Sequence, residues 1–279
     1  MPIRYVAARR LAAARRAVEF IGSGQPVRLS ELSARELAQV RIVLLTVADS
    51  AIADVAADLA ARGKQGELGE SADWTAKIVL HTCGALPAAG RDSVLAPLKR
   101  LGASVGSIHP FQTVPSPRAG VRNLAGCFWA IEGDGSAWRV ATRWVDLLHG
   151  TAFPVRPAQK ALYHAAAFLA CPTVVSLMDH SERLLLKAGV PAVIARPMLG
   201  QFVTETVRNF VELGGSRALT GPAVRGDWAT INRHRAALSH AARDVLPLYE
   251  ALLRSMLVLA GKEGAAPRSD RKRGSGRSR

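Results

Sequence analysis

The chain has 279 residues, 49% hydrophobic and 21% charged, with 37 Lys and Arg against 22 Asp and Glu for a formal net charge of +15. That length supports two domains with cores of their own, and the composition excludes a wholly disordered or collagen-like chain. Cys83, Cys127 and Cys171 stand far apart, with no CxxC pair and no metal-like cluster, so they read as reduced thiols rather than a disulfide framework or a metal site.

In chain order, residues 3–8 read as a short strand and residues 11–21 as an arginine-rich amphipathic helix. Arg41-Ile42-Val43-Leu44-Leu45-Thr46-Val47 predicts a buried strand, after which Asp49 or Ser50 caps a helix running to residue 62. Lys77-Ile78-Val79-Leu80-His81 is a second strong strand, followed by a helix at 94–101 and a third strand at 104–108. Residues 127–131 and 151–155 add two more, separated by a helix at 138–148. Apolar strands alternating with helices predict a parallel sheet covered on both faces.

From residue 158 to 259 helical periodicity takes over, interrupted at 189–191, Pro197, Gly214-Gly215 and Gly221-Pro222. Asp227 is placed to cap the helix that follows it. No apolar run reaches the roughly 20 residues that cross a bilayer, and the opening residues lack the apolar core of a secretory signal. A cytoplasmic protein without a membrane partner is the expectation. Much of the positive charge falls in residues 263–279, where Arg268, Arg271, Lys272, Arg273, Arg277 and Arg279 face only Glu263 and Asp270. That segment reads as a disordered basic tail, and no specific nucleic-acid partner is expected.

Unusual residues collect just beyond the three strong strands: Thr46-Val47-Ala48-Asp49, His81-Thr82-Cys83-Gly84-Ala85 and His109-Pro110-Phe111-Gln112-Thr113. Ligands of open parallel sheets sit beyond the carboxyl ends of the strands. Lys160 and His164 lie four residues apart at the change from strands to helices, so a helix stacks their amine and imidazole on one face. Both are candidate catalytic groups. His109, held by the following proline, is a third.

The chain resembles a bacterial family with a Rossmann-like domain followed by a helical domain of unknown function. That helical domain is similar to the C-terminal domains of pyrroline-5-carboxylate reductase and 6-phosphogluconate dehydrogenase. The resemblance is carried by Leu44 through Ile52, Gly106 through Thr113, Phe128 through Asp134, Lys160 through Ala167 and Ala218 through Asp227. It implies NADP, or NAD, as cofactor and a small-molecule carbonyl, imine or alcohol as substrate. It places Arg9 and Arg10 at the ribose 2′-phosphate, Thr46, Val47 and Ala48 along the cofactor, and Thr82, Gly84 and Ala85 near its nicotinamide. In related β-hydroxyacid dehydrogenases a Lys-x-x-x-Asn helix lies beside the nicotinamide; Lys160 matches the lysine, which there moves the proton, and His164 replaces the asparagine.

Members of that family open with a strand and a GxGxxG-type turn, and no such turn stands at the start of this sequence. Its first strand resembles the second strand of the usual fold. Two explanations compete: a start codon assigned late, or a product that is truly short. The resulting expectation is an α/β chain with a Rossmann-like parallel sheet lacking its first βα unit over residues 1–156. An all-helical 6-phosphogluconate dehydrogenase C-terminal-like domain follows over 157–262 and dimerises with its copy. The function implied is an NAD(P)-dependent oxidoreductase; the alternative is a non-catalytic nucleotide- or protein-binding module. No metal site is expected.

Overall fold

A computed structural model describes residues 2–62, 72–90 and 93–262; the basic tail predicted at 263–279 lies outside the described residues. The chain divides into two compact units between Cys171 and Pro172.

The first unit opens with β1 (Tyr5–Ala8), α1 (Leu11–Ile21) and β2 (Gln25–Arg28), and its two strands pair in parallel. Next come α2 (Ala34–Ala38), β3 (Ile42–Leu45) and α3 (Ile52–Arg62). Ser33 and Glu36 form a capping box that starts α2. Then follow β4 (Ile78–His81), α4 (Ala96–Lys99), β5 (Ser104–Pro110), α5 (Pro117–Asn123), β6 (Phe128–Gly133), α6 (Gly135–Leu147), β7 (Thr151–Pro154) and α7 (Lys160–Ala170). Strands β3 to β7 form one sheet in sequence order.

Helices cover both faces, as the apolar strands require. Ile78 and Leu80 of β4 pack with Ala137, Ala141 and Val145 of α6. Val79 and Val105 pack with Ile52, Ala56 and Leu59 of α3. This alternation follows from the two-residue period of a strand.

Three features differ from the sequence reading. The strands build two sheets rather than one, because β1–β2 do not pair with β3. Their link to the rest includes Arg4 and Tyr5, which donate at 2.8 and 3.0 Å to Gln39 Oε1. Edge strand β3 leaves Leu44 43% exposed, whereas all four residues of β4 are buried. Secondly, β6 runs antiparallel to β5. The link between them holds only the seven-residue α5, which returns the chain at the end of the sheet it left instead of crossing a face. Thirdly, the strand-bearing unit keeps α7, one helix beyond the change of pattern at residue 156, because Lys160 is anchored in the sheet.

The second unit contains α8 (Pro172–Lys187), α9 (Ala192–Leu213), α10 (Gly215–Ala218), α11 (Pro222–Arg225), α12 (Trp228–Ala241) and α13 (Leu246–Leu259). Ile231, Leu253, Leu257 and Ala223 form one core cluster, and Leu238, Ala242 and Val245 another. Asp227 caps α12 by accepting from the Thr230 N–H at 3.0 Å, as its position predicts. Helix α9 passes through Pro197 unbroken, contrary to the expected interruption. The proline sits in the second turn, where it removes one backbone bond from a 22-residue helix.

The expected absence of a membrane-length apolar run also needs correction. Residues 157–187 form a helical span that holds an 18-residue window with a mean hydropathy of 1.6, enough by length and composition alone to cross a bilayer. Its first helix, α7, carries Lys160 into the core of the sheet unit.

Candidate functional site

A polar row crosses the sheet where β4 ends. Strand register sets His81 beside Ser107, and Ser107 beside Glu132. All three are buried, where polar groups need partners. Lys160, at the first position of α7 and 1% exposed, supplies one. Its Nζ donates to Ser107 Oγ at 2.6 Å and to the Cys83 carbonyl at 3.1 Å, and lies 3.7 Å from Glu132 Oε2. The Glu132 carboxylate also accepts from the Ala88 and Ala89 N–H groups at 2.9 and 2.7 Å and from the Ser107 hydroxyl at 3.3 Å. Burial pushes the Lys160 ammonium below its ordinary value, and Glu132 is the first influence opposing that shift. Lys160 therefore differs in its surroundings from the cleft-facing acid/base expected of it. It is a buried, hydrogen-bonded ion pair that fastens α7 to the sheet.

One turn further along α7, Tyr163 and His164 lie on the same face as Lys160. Tyr163 Oη is 2.8 Å from His109 Nδ1, and the two rings meet edge to face with centroids 5.5 Å apart. The His164 ring lies 5.7 Å from that of His109. Both imidazoles close over Gly84. A Cβ built there would stand 2.7 Å from His164 Cδ2 and 2.8 Å from His109 Nε2. Any side chain at this position would push the rings from where they stand.

His81 ends β4 and is fully buried. Its Nδ1 accepts from the Cys83 N–H at 3.1 Å, which puts the ring proton on Nε2, and that buried nitrogen has no hydrogen-bond partner. Burial, reinforced by the Lys160 charge, pushes His81 down to about 3. Burial, reinforced by His164 and Lys160, pushes His109 down to about 4. Both rings are neutral at neutral pH. The Cys83 thiol is pushed up, chiefly by burial, and its Sγ accepts from the Ala85 and Leu86 N–H groups, so it is no ready nucleophile.

Of the residues singled out in the sequence, the structure brings His109, His164, Gly84 and Lys160 into one neighbourhood, with Thr82 and Ala85 flanking Gly84 in the turn after β4. Thr46, Val47 and Ala48 occupy the exposed turn after β3. Arg9 and Arg10 are exposed between β1 and α1, and no described hydrogen bond or ion pair joins them to the cluster. Sequence reasoning placed His81 in the turn after its strand without a role, and missed Tyr163, Ser107 and Glu132 as members. The signal for Tyr163 was its place between Lys160 and His164, three residues beyond the lysine.

The chain is a Rossmann-like α/β protein with a helical C-terminal region. Residues 127–256 match a family described as a domain of unknown function, DUF2520. Protein TM1727 from Thermotoga maritima is similar in structure, with a TM-score of 0.65 and 22% identity over 94% of this chain and 92% of that one. A reductive aminase from Aspergillus terreus, in complex with NADPH4, cyclohexanone and allyl amine, gives 0.61 and 14% over 94% and 87%. Pyrroline-5-carboxylate reductase from Coxiella burnetii gives 0.52 and 14% over 93% and 87%. At these identities the likeness establishes the fold. No curated protein matches the sequence.

A nicotinamide dinucleotide, the cofactor that the sequence resemblance implies, would meet different surroundings at its two ends. At the strand ends two imidazoles pack against Gly84, and the buried His81 Nε2–H has no hydrogen-bond partner. The expected phosphate end offers fewer suitable groups. Among the described residues no glycine-rich turn leads from a strand into a helix of this unit. Arg9-Arg10 follow β1, and Asp49 heads the helical turn after β3, where its carboxylate opposes an anion.

Proposed function

We propose that the chain is an NAD(P)-dependent oxidoreductase acting on a small carbonyl, imine or alcohol, as a soluble cytoplasmic enzyme. The observation that carries this reading is the convergence of His109 and His164 over Gly84 at the carboxyl ends of the strands. The cofactor supplies hydride chemistry when bound. Thr82, Gly84 and Ala85 line its nicotinamide end, with Thr46, Val47 and Ala48 beside it and Arg9 and Arg10 toward a 2′-phosphate. His109 orients the substrate, His164 moves the proton, and Lys160 holds α7 so that both rings keep their place.

The same reading makes the protein a homodimer through its helical unit. Phe202 and Phe210 on α9 are 71% and 60% exposed, and Leu184, Leu185, Met198, Leu199 and Phe202 line a 580 Å³ groove between α8 and α9. An apolar surface of that kind calls for a partner. Sedimentation should give twice the chain mass; a monomer at micromolar concentration would reject this part.

The test of the activity is NADPH consumption with a panel of small ketones and cyclic imines, alongside calorimetric titration of NADPH. Substrate-dependent consumption that falls about 10²-fold or more in His164→Ala, with the fold retained, is the expected result. Lack of NADPH binding would overturn the reading and favour the non-catalytic module.

A further inference from the structure

The two ring nitrogens of His109 have different surroundings. Nδ1 faces the Tyr163 hydroxyl at 2.8 Å, while Nε2 lies over Gly84 on the side toward which His164 converges. A phenol hydroxyl can donate to a bare imidazole nitrogen or accept from a protonated one, so the direction of this contact and the tautomer of the ring are set together. Burial pushes the Tyr163 phenol up to about 12, which keeps its proton on oxygen. The charged and titratable groups around His109 come from three elements: Lys160, Tyr163 and His164 on α7, Asp49 after β3, and His81 on β4. Lys160 and His164 disfavour a second proton on the ring, Asp49 favours one, and desolvation outweighs each of them.

We propose that Tyr163 is a positioning residue that donates to His109 Nδ1 and fixes the ring as its neutral Nε2–H tautomer. His109 then meets the ligand as a hydrogen-bond donor, and the site selects an acceptor atom: a carbonyl or carboxylate oxygen rather than an ammonium. The selection rests on the proposed ligand position, whereas the tautomer does not. A neutral imidazole that donates from a water-poor site stabilises a developing oxyanion without itself changing charge.

The direct test is a long-range ¹H–¹⁵N correlation spectrum of the full chain with ¹⁵N-labelled histidine at neutral pH. Wild-type His109 should show a protonated Nε2 and a bare Nδ1. Tyr163→Phe should mix the two tautomers while leaving His234 and His240 unchanged. A protonated Nδ1 in the wild type overturns the proposal, and so does an unmixed spectrum in a folded Tyr163→Phe protein. If Tyr163→Phe does not fold, the wild-type spectrum still decides. Where turnover is found, His109→Gln, which keeps an N–H donor, should retain at least about tenfold more kcat than His109→Leu. Equal loss in both contradicts the donor role. Failure of NADPH binding leaves the tautomer result standing, so the two ideas fail separately.

Discussion

Lys160→Met should lower the unfolding free energy by about 3–5 kcal/mol. The substitution keeps the volume of the side chain and its helix propensity, so the effect reports the ammonium. Removing it strands the Glu132 carboxylate in the sheet, 4% exposed, with its charge uncompensated. It also strips the Cys83 carbonyl and the Ser107 hydroxyl of their donor. The Ala88 and Ala89 N–H groups still bind Glu132, which is why the loss is not larger. Adding Glu132→Gln to Lys160→Met removes the stranded charge while leaving an acceptor for those N–H groups, and should recover most of the loss. Denaturant unfolding of the two single variants and the double variant measures this. A loss below about 1 kcal/mol in Lys160→Met would mean that α7 is held by something else.

Acid should destabilise the protein well above the pH at which exposed carboxylates titrate. In the unfolded chain His81 and His109 take up protons near 6.5; in the folded chain they resist until about 3 and about 4. As pH falls below 6.5 the unfolded state therefore binds more protons than the folded one, and stability drops. It is fully present above 6.5 and is lost progressively toward pH 4 and then 3. With two such groups the slope approaches about 2.7 kcal/mol per pH unit between pH 6 and 4. His81→Phe should roughly halve that slope. Unfolding curves at a series of pH values decide the matter; stability that stays flat from pH 7 to 5 would show that neither imidazole is kept neutral by the fold.

Strands β3 and β4 were legible because their apolar runs exceed what a surface segment carries, and α1 was readable to its ends from its periodicity. The cap at Asp227 was legible for the same local reason. What escaped was non-local. Gln25-Pro26-Val27-Arg28 holds a single β-branched residue and a proline, so β2 gave no strand signal and exists by pairing with β1. The reversal of β6 is not written in its residues, since a strand buried on both faces reads alike in either direction.

The site shows the same division. His109, Gly84, Lys160 and His164 stood out by type and spacing, but Glu132 and Ser107 declare themselves only when register lines them up across the sheet. Their presence changes Lys160 from a free amine into half of an internal pair.

The proposed function puts ligand chemistry where His109 and His164 close over Gly84. The most direct test follows all 7 histidines by NMR while NADPH is added to the full chain. The imidazole signals of His109 and His164 should shift together and saturably, while those of His180, His234 and His240 stay in place. Saturable binding that leaves His109 and His164 unmoved would contradict it and put the ligand elsewhere.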